Sequence, residues 1–213
     1  MHVPDGLLDL KTLVGSAAAA AAGVSYASWR VRRELDSREV PRVAVLTAFI
    51  FAAQMVNFPI PGGTSGHLMG GALAAVLFGP WVSVVVMTTV VAIQALVFQD
   101  GGIAALGANL LNMAVIGPLV GYGTYRLLKG LWRSRPGWLT AVFLSGLTSV
   151  VAGAVAVALQ LALSGVIPLA VGLPAMGLWH VMIGVGEGII TAAVAAYVAA
   201  ERPQLQAGVR GHD

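Results

Sequence analysis

Apolar segments long enough to cross a membrane follow one another along almost the whole chain. The hydrocarbon core of a bilayer is about 30 Å thick, which a helix of roughly 20 apolar residues spans. Only 10% of the residues are charged, against about 25% in a soluble domain. The sequence therefore predicts an all-α, polytopic membrane protein with about seven transmembrane helices, at Asp9–Trp29, Val40–Asn57, Thr64–Gly79, Pro80–Gln99, Ile103–Leu128, Trp138–Ser164 and Leu178–Ala200.

The basic residues indicate how these helices are oriented. All of them except Lys11 fall between the first two segments or at their edge, at the end of the fifth or after it, and after the seventh. Cytoplasmic loops carry an excess of Lys and Arg, so we expect the N-terminus outside and the C-terminus in the cytoplasm, in a bacterial inner (cytoplasmic) membrane. The chain is then a single membrane domain, 1–213, with an N-terminal segment at 1–8, a helical bundle at 9–200 and a cytoplasmic tail at 201–213.

The first two residues combine donors that suit a metal ion. The chain contains no cysteine, so a metal here is held by nitrogen or oxygen, or at most by a methionine thioether. Met1 and His2 offer an α-amine, an amide nitrogen and an imidazole Nδ1, which close two consecutive chelate rings. Such planar nitrogen donors suit nickel(II) or copper(II). His67 can complete the square if the turn signal at Pro4-Asp5-Gly6 folds the N-terminal segment back.

The same segment bears on whether the N-terminus is processed. Met1–Gly6 lacks the basic region of a signal peptide and is followed by Asp9, so we expect it to be retained.

Several polar residues within the apolar segments have both a functional and a structural interpretation. His180 and Glu187 are seven residues apart and therefore share one helix face. They form a functional pair or a structural pair, or else His180 is a histidine at the end of a helix, at the membrane interface. Asn109 and Asn112 are more typical of hydrogen bonds between helices. Three residues near the end of the fourth segment either orient a liganding imidazole or lie solvated in a loop: Gln94, Gln99 and Asp100.

Three sequence blocks resemble the CbiM/NikM family, the membrane substrate-binding components of cobalt and nickel energy-coupling-factor (ECF) transporters, a class of ABC transporter. They are Met1-His2-Val3-Pro4-Asp5-Gly6, then Gly62–Leu73 with Leu77–Trp81, and Gln94–Gly102 with Gly107-Ala108-Asn109. The resemblance covers nearly the whole chain. It implies that metal is held by the amine of Met1, by the amide and imidazole of His2, and by the imidazole of His67.

The resemblance also implies partners and a substrate. The partners are a transmembrane coupling subunit, cytoplasmic ATPase subunits and a small accessory membrane subunit, with lipid around the bundle. The chain shows no phosphate-binding Gly-Lys loop, which fits a non-catalytic subunit whose partners hydrolyse ATP. No prosthetic group is expected, because Ni²⁺ or Co²⁺ is the transported substrate. Asp5, Gln99 and His180 are candidates for orienting the ligands from behind.

The choice between the two metals stays open at this stage. Many cobalt-associated members carry a Ser-Cys-Ser-His-Pro stretch where this chain has Gly63-Thr64-Ser65-Gly66-His67-Leu68. The histidine is kept, and planar nitrogen donors favour nickel.

Other classes of function fit the sequence less well. A self-sufficient channel or secondary carrier would show ionisable residues strung across the membrane, and only Glu187 is a strong candidate. An intramembrane metalloenzyme needs at least three convergent ligands with an acid or base, and His180 with Glu187 are too few. A vitamin-binding subunit would keep its pocket without His2. The basic residues cluster in loops and form no stripe for nucleic acid.

Overall fold

A computed structural model describes residues 1–60, 64–131 and 134–201. Helices account for most of these residues, with a short two-stranded ribbon between the second and third helices. We number the helices α1 Leu10–Glu34, α2 Val40–Gln54, α3 Gly71–Phe78, α4 Pro80–Val97, α5 Leu106–Leu131, α6 Arg135–Leu163 and α7 Leu169–Glu201. A 3₁₀ turn at Ser37–Glu39 precedes α2, and α5 contains a wider π-helical stretch at Leu110–Ile116.

Local signals in the sequence explain where several helices begin. The Asp9 carboxylate accepts a hydrogen bond from the backbone N–H of Thr12 (2.9 Å) at the start of α1, and the Ser134 hydroxyl accepts from Gly137 N–H (3.2 Å) at the start of α6. Both residue types are preferred helix N-caps. Proline stands in the first turn of α2, α4 and α6, where its missing N–H leaves no helical bond unmade.

The third predicted helix, Thr64–Gly79, is wrong over its first half. Thr64–Gly66 forms a strand that pairs antiparallel with Phe58–Ile60, and the helix begins only at Gly71. Gly70 explains the late start, because its φ of +77° is left-handed and cannot belong to a right-handed helix. The remaining α3 has eight residues. At 1.5 Å per residue it is about 12 Å long, too short to cross a bilayer.

The seventh predicted helix, Leu178–Ala200, begins too late. In the structure α7 runs from Leu169 and continues through Pro174. The earlier start moves His180 from the predicted helix end to the helix interior, where its side chain is fully buried.

Among the seven helices in the described part of the chain, four are long and apolar enough to cross a membrane: α4, α5, α6 and α7 up to Ala200. Large apolar side chains point outward from these helices, among them Leu131, Leu163, Leu178, Met182 and Tyr197. Exposed apolar surface of this extent suits contact with lipid rather than water. The protein is thus an all-helical membrane protein, and seven membrane crossings stay a prediction.

Small residues let the helices approach one another closely. Gly146 of α6 lies directly against the backbone of Gly188 in α7, where an added Cβ would come within 2.9 Å of Gly188 Cα. Gly184 of α7 lies against Leu147 in the same way. In lipid, helix association depends on such close packing because there is no hydrophobic drive between helices. This contact fixes α7, which carries His180 and Glu187, against the rest of the bundle.

Candidate metal site

The N-terminal segment enters the helical bundle and is buried there. Met1 is 1% exposed, His2 3% and Val3 1%. Asn109 of α5 holds the segment through a pair of hydrogen bonds: its Oδ1 accepts from Val3 N–H (2.8 Å) and its Nδ2 donates to the Val3 carbonyl (3.0 Å). The Val3 carbonyl also accepts from Gly102 N–H at 3.0 Å. The first three residues are therefore held in one conformation by contacts far away in sequence.

Asp5 anchors the same segment from its other end. Its carboxylate accepts hydrogen bonds from the backbone N–H groups of Ile103 (3.1 Å) and Ala105 (3.0 Å). Gly102 passes so close to Asp5 that an added Cβ would lie 2.1 Å from the carboxylate. Gly101 has a φ of +99°, and a Cβ there would contact the ring of His2 at 3.1 Å. The Gly101-Gly102 pair is therefore required for the loop to close over the N-terminus.

His67 faces the amino terminus with one of its ring nitrogens. Its Nδ1 donates to the carbonyl of Leu68 at 2.7 Å, which assigns the proton to Nδ1 and leaves a lone pair on Nε2. Nε2 lies 3.1 Å from the α-amine of Met1. Two neighbouring nitrogen ligands of a square-planar ion with metal–nitrogen bonds near 2.0 Å are about 2.8 Å apart. The two nitrogens are thus close to the spacing that a shared planar metal requires.

The imidazole of His2 stacks on that of His67, with centroids 4.8 Å apart and planes inclined by 28°. His2 Nε2 donates to Gln94 Oε1 at 3.2 Å, which leaves the lone pair on Nδ1. Nδ1 lies 3.3 Å from Asp100 Oδ1 but forms no hydrogen bond within the described residues. A liganding histidine characteristically donates its other ring N–H to an oxygen, and both His2 and His67 do so.

Burial keeps these nitrogens unprotonated at neutral pH. Loss of solvation lowers the pKa of the Met1 amine from 8.0 to about 4, opposed in part by the charge of Asp100. Desolvation likewise lowers the pKa of His2 to about 4, aided by the nearby amine, and lowers the pKa of His67 well below its usual value. Metal ions bind the neutral forms of amines and imidazoles, so these donors are ready for a metal without losing a proton.

The donor set depends on the main chain. Within residues 1–60, 64–131 and 134–201, no three His, Cys, Asp or Glu side chains come together as a metal cluster. The two imidazoles alone are too few for a tight site, but the Met1 amine and the His2 amide nitrogen bring the number of nitrogens to four. Met1, His2 and His67, the ligands expected from the sequence, therefore lie together in the structure.

The residues proposed to lie behind the ligands are distributed differently. Asp5 anchors the segment, as described. Gln99 is exposed in the loop after α4, with a φ of +58°, and it is Gln94 that contacts His2. The spacing of Asn109 predicts a hydrogen bond between helices, and nothing in that spacing signals that its side chain holds the N-terminus. Asn112 does join helices, through hydrogen bonds to Gln160 at 2.7 and 3.0 Å.

His180 and Glu187 do not pair with each other. Both Glu187 oxygens accept backbone N–H groups, from Met69 and Gly70, each at 2.7 Å. This carboxylate thereby ties α7 to the chain just after His67. His180 Nδ1 donates to the Met176 carbonyl one helical turn earlier, at 2.7 Å.

Sequence comparison connects this geometry to a known family. A family model described as the cobalt uptake substrate-specific transmembrane region, CbiM, matches residues 2–205. The chain belongs to the CbiM family. The fused nickel transport protein NikMN of Rhodobacter capsulatus is 40% identical to this CbiM-family chain over 225 aligned residues, covering 97% of the chain and 64% of that protein. The cobalt transport protein CbiM of Sorangium cellulosum is 36% identical over 214, covering 96% and 94%.

Structural comparison agrees with this assignment. A crystal structure of a truncated transition metal transporter superimposes on this CbiM-family chain with a TM-score of 0.88, at 37% identity, covering 94% of the chain and 99% of that structure. The chain is therefore a membrane protein of a cobalt and nickel transport family. Its relatives are named as transport proteins, which agrees with a role other than catalysis.

Proposed function

We propose that this CbiM-family protein is the substrate-binding membrane component of an ATP-driven nickel or cobalt importer of the energy-coupling-factor type. It captures the divalent ion at the outer face, through the Met1 amine, the His2 amide nitrogen, His2 Nδ1 and His67 Nε2. The observation that carries this proposal is the approach of the Met1 amine to within 3.1 Å of His67 Nε2. The amine is the buried start of a segment that Asn109 and Asp5 hold in place.

Binding releases one proton under this scheme. The amine and both imidazoles are already neutral, so only the His2 amide must lose a proton to become a ligand. The amide anion partly offsets the charge of the metal, and the Asp100 carboxylate beside His2 Nδ1 offsets more of it. The buried site therefore does not have to hold an uncompensated double positive charge, which would be costly in a low-dielectric interior.

Of nickel and cobalt, nickel is the metal that this donor set fits better. Four nitrogens in a plane suit nickel(II), and a given site usually binds nickel more tightly than cobalt. The named relatives include both nickel and cobalt transport proteins, so the family leaves both metals as candidates.

Transport through this chain requires partners. The proposal includes a transmembrane coupling subunit, paired cytoplasmic ATPases and a small accessory membrane subunit, in a bacterial cytoplasmic membrane. In support, the chain has no phosphate-binding loop that could hydrolyse ATP. The contrary function, a self-sufficient channel or carrier, needs ionisable groups along a path. Glu187 is instead bonded to two backbone N–H groups, which does not favour such a path.

The proposal is tested by metal binding to purified protein with its native N-terminus, measured by calorimetry and metal analysis. We expect one tightly bound nickel or cobalt ion, lost both in His2→Ala and in a variant with one residue added before Met1. A residue added at the C-terminus is the matched control and should bind normally. Equal binding by all four proteins would show that the N-terminal site is wrong. Robust uptake by this chain alone, without ATP, would overturn the importer model.

A further inference from the structure

Asp100 lies at the boundary between the buried N-terminal segment and solvent. Its side chain is 17% exposed, whereas the side chain of His2, which it faces, is 2% exposed. Asp100 Oδ1 lies 3.3 Å from His2 Nδ1, and Asp100 Oδ2 accepts a hydrogen bond from the side-chain amide of Asn57 at 3.0 Å. One oxygen of the carboxylate is thus held by Asn57, while the other faces a proposed metal ligand.

The backbone is left-handed on both sides of Asp100. Gln99 has a φ of +58° and Gly101 a φ of +99°. Among the described residues, Gln99 is the one residue other than glycine with a positive φ, a conformation that side chains with a Cβ rarely adopt. The Asp100 N–H donates to the Gln94 carbonyl at 3.0 Å, which closes the loop onto the end of α4. Such an unfavourable backbone persists where its surroundings require it, and here it accompanies a carboxylate directed toward His2.

The approach of Asp100 to His2 brings two acceptor atoms together. His2 Nε2 donates to Gln94 Oε1, so that Nδ1 carries a lone pair, and Nδ1 has no hydrogen-bond partner among the described residues. A carboxylate oxygen and a lone pair 3.3 Å apart repel each other, because both are negative. Asp5, by contrast, uses both of its oxygens to accept backbone N–H groups. A cation shared by Asp100 Oδ1 and His2 Nδ1 would convert the repulsion into two attractive contacts.

The distance between Asp100 Oδ1 and His2 Nδ1 suits two ligands of one metal ion. A nitrogen about 2.0 Å and an oxygen about 2.1 Å from an ion are about 2.9 Å apart when they lie at right angles. The observed 3.3 Å corresponds to an angle of about 107° with the same bond lengths. Because the Asp100 carboxylate also reaches solvent, a hydrated ion can contact it before the buried ring of His2. The two atoms therefore connect solvent to the binding site.

We propose that Asp100 is the entry residue for the metal ion, whose Oδ1 takes up the hydrated divalent ion at the solvent boundary and passes it to His2 Nδ1. The inference deepens the proposed function and rests on it, since it needs His2 Nδ1 to be a ligand. The ion first exchanges a water molecule for Asp100 Oδ1 and then binds His2 Nδ1, before the remaining nitrogens complete the site. Asp100 therefore raises the rate of association, in addition to offsetting the charge of the bound ion.

The test is the rate at which purified protein with its native N-terminus binds aqueous Ni²⁺, followed by the visible absorption of bound nickel after rapid mixing. Asp100→Asn removes the charge but keeps the size of the side chain and an oxygen that can accept from Asn57. We expect its association rate constant to fall about 10-fold at low salt, the smaller end of what a charged site entrance contributes. The remaining rate should depend on salt less than the wild-type rate does. An unchanged association rate overturns the proposal, even if dissociation is faster.

Asp9→Asn is the matched control. It removes the same charge close to the N-terminal segment, and asparagine caps a helix as well as aspartate does. Asp9 is exposed, and its carboxylate accepts from Thr12 N–H at the start of α1. We expect this variant to bind nickel at close to the wild-type rate. Equal slowing in Asp9→Asn and Asp100→Asn would show that negative charge acts from any nearby position, and would overturn the entry role of Asp100.

A measurement on the unmodified protein covers the case in which Asp100→Asn fails to fold or binds no nickel. The wild-type association rate should fall as sodium chloride is added, because salt screens a carboxylate that is partly in water. A rate that does not depend on salt overturns the inference. If the wild type binds no nickel, or binds it equally well with a residue added before Met1, the proposed function fails. If nickel binds at the N-terminus at a salt-independent rate, only the present inference fails.

Discussion

Two buried polar clusters in this protein use their hydrogen-bonding capacity in opposite ways. In the amide cluster, Asn112 and Gln160 exchange hydrogen bonds between α5 and α6, and Gln160 Nε2 also donates to Ser16 Oγ of α1 at 3.2 Å. In the N-terminal cluster of Met1, His2 and His67, the ring nitrogen His2 Nδ1 has no hydrogen-bond partner in the part of the chain that the structure describes.

This difference in hydrogen bonding suits a structural role for the amide cluster and a binding role for the N-terminal cluster. Buried polar groups in proteins are nearly always hydrogen-bonded, and the amide cluster follows this rule as a link between three helices. The N-terminal cluster instead brings several unprotonated nitrogen atoms close together in a buried site. Unpaired buried nitrogens cost stability in the metal-free protein, but they become favourable once a metal ion accepts their lone pairs. Neighbouring nitrogen lone pairs, rather than burial or polarity alone, therefore distinguish this cluster from the amide cluster.

The largest expected effect comes from removing a proposed ligand. His67→Ala deletes the fourth planar nitrogen, so nickel affinity should fall by more than about 100-fold, beyond the usual cost of losing a group behind a ligand. The metal-free protein should remain folded, because His67 lies outside the helices. Calorimetry and thermal unfolding on the same preparation measure both. Retained nickel affinity would contradict the role of His67 and would move the site elsewhere.

Acidification should loosen the N-terminal cluster while leaving the helices intact. An undocked Met1 amine takes up a proton below pH 8.0, whereas burial keeps the docked amine neutral down to about pH 4. Between these values the undocked state binds more protons, so docking loses stability as pH falls, by up to about tenfold per pH unit for one proton. Hydrogen exchange of the Val3 amide in metal-free protein, corrected for intrinsic rates, measures this opening.

The control for that experiment is the amide of Leu13, which bonds to the Asp9 carbonyl in α1. Its protection should stay constant over the same range of pH. Equal loss of protection at Val3 and Leu13 would indicate general unfolding and contradict a local effect.

Disrupting the amide cluster should lower the stability of the fold and leave nickel binding nearly unchanged, the reverse of what we expect for His67→Ala. Gln160→Leu leaves both the donor and the acceptor of the Asn112 side chain without their partner, which costs about 1–3 kcal/mol of unfolding free energy. Nickel affinity of the folded protein should remain within about threefold of wild type. Adding Asn112→Leu to the same protein should recover part of the loss, because no amide then remains unsatisfied. A large drop in nickel affinity would show that the two clusters are not separate.

The proposed ligands at Met1 and His2 could be predicted from the sequence because they follow from local chemistry. The amine, amide and imidazole of Met1 and His2 form chelate rings whatever the fold, and apolar length alone located α4 to within a few residues. The predictions that were wrong or incomplete concerned helix boundaries and tertiary contacts, which depend on single backbone angles or on packing. The φ of Gly70 delays α3, and the α7 helix that continues through Pro174 places His180 in the helix interior. Asn109 meets Val3 only through the tertiary fold.

Gln94 and Gln99 provide the smallest and sharpest test of the same comparison. The sequence makes both of them candidates for orienting a liganding imidazole, and spacing cannot choose between them. Gln94 is fully buried and accepts a hydrogen bond from His2 Nε2, whereas Gln99 is exposed beyond the end of α4. Gln94→Ala should therefore weaken nickel binding by about tenfold, because His2 loses the acceptor that directs Nδ1 toward the metal.

Gln99→Ala is the matched control and should bind nickel within about twofold of wild type, since an exposed side chain has little to lose. Side-by-side calorimetry of the two variants decides the point. If Gln99→Ala has the larger effect, the loop after α4 closes differently when metal is bound, and His2 is oriented by residues outside the bundle. If Gln94→Ala has the larger effect, His2 is oriented from inside the bundle, by a side chain of α4.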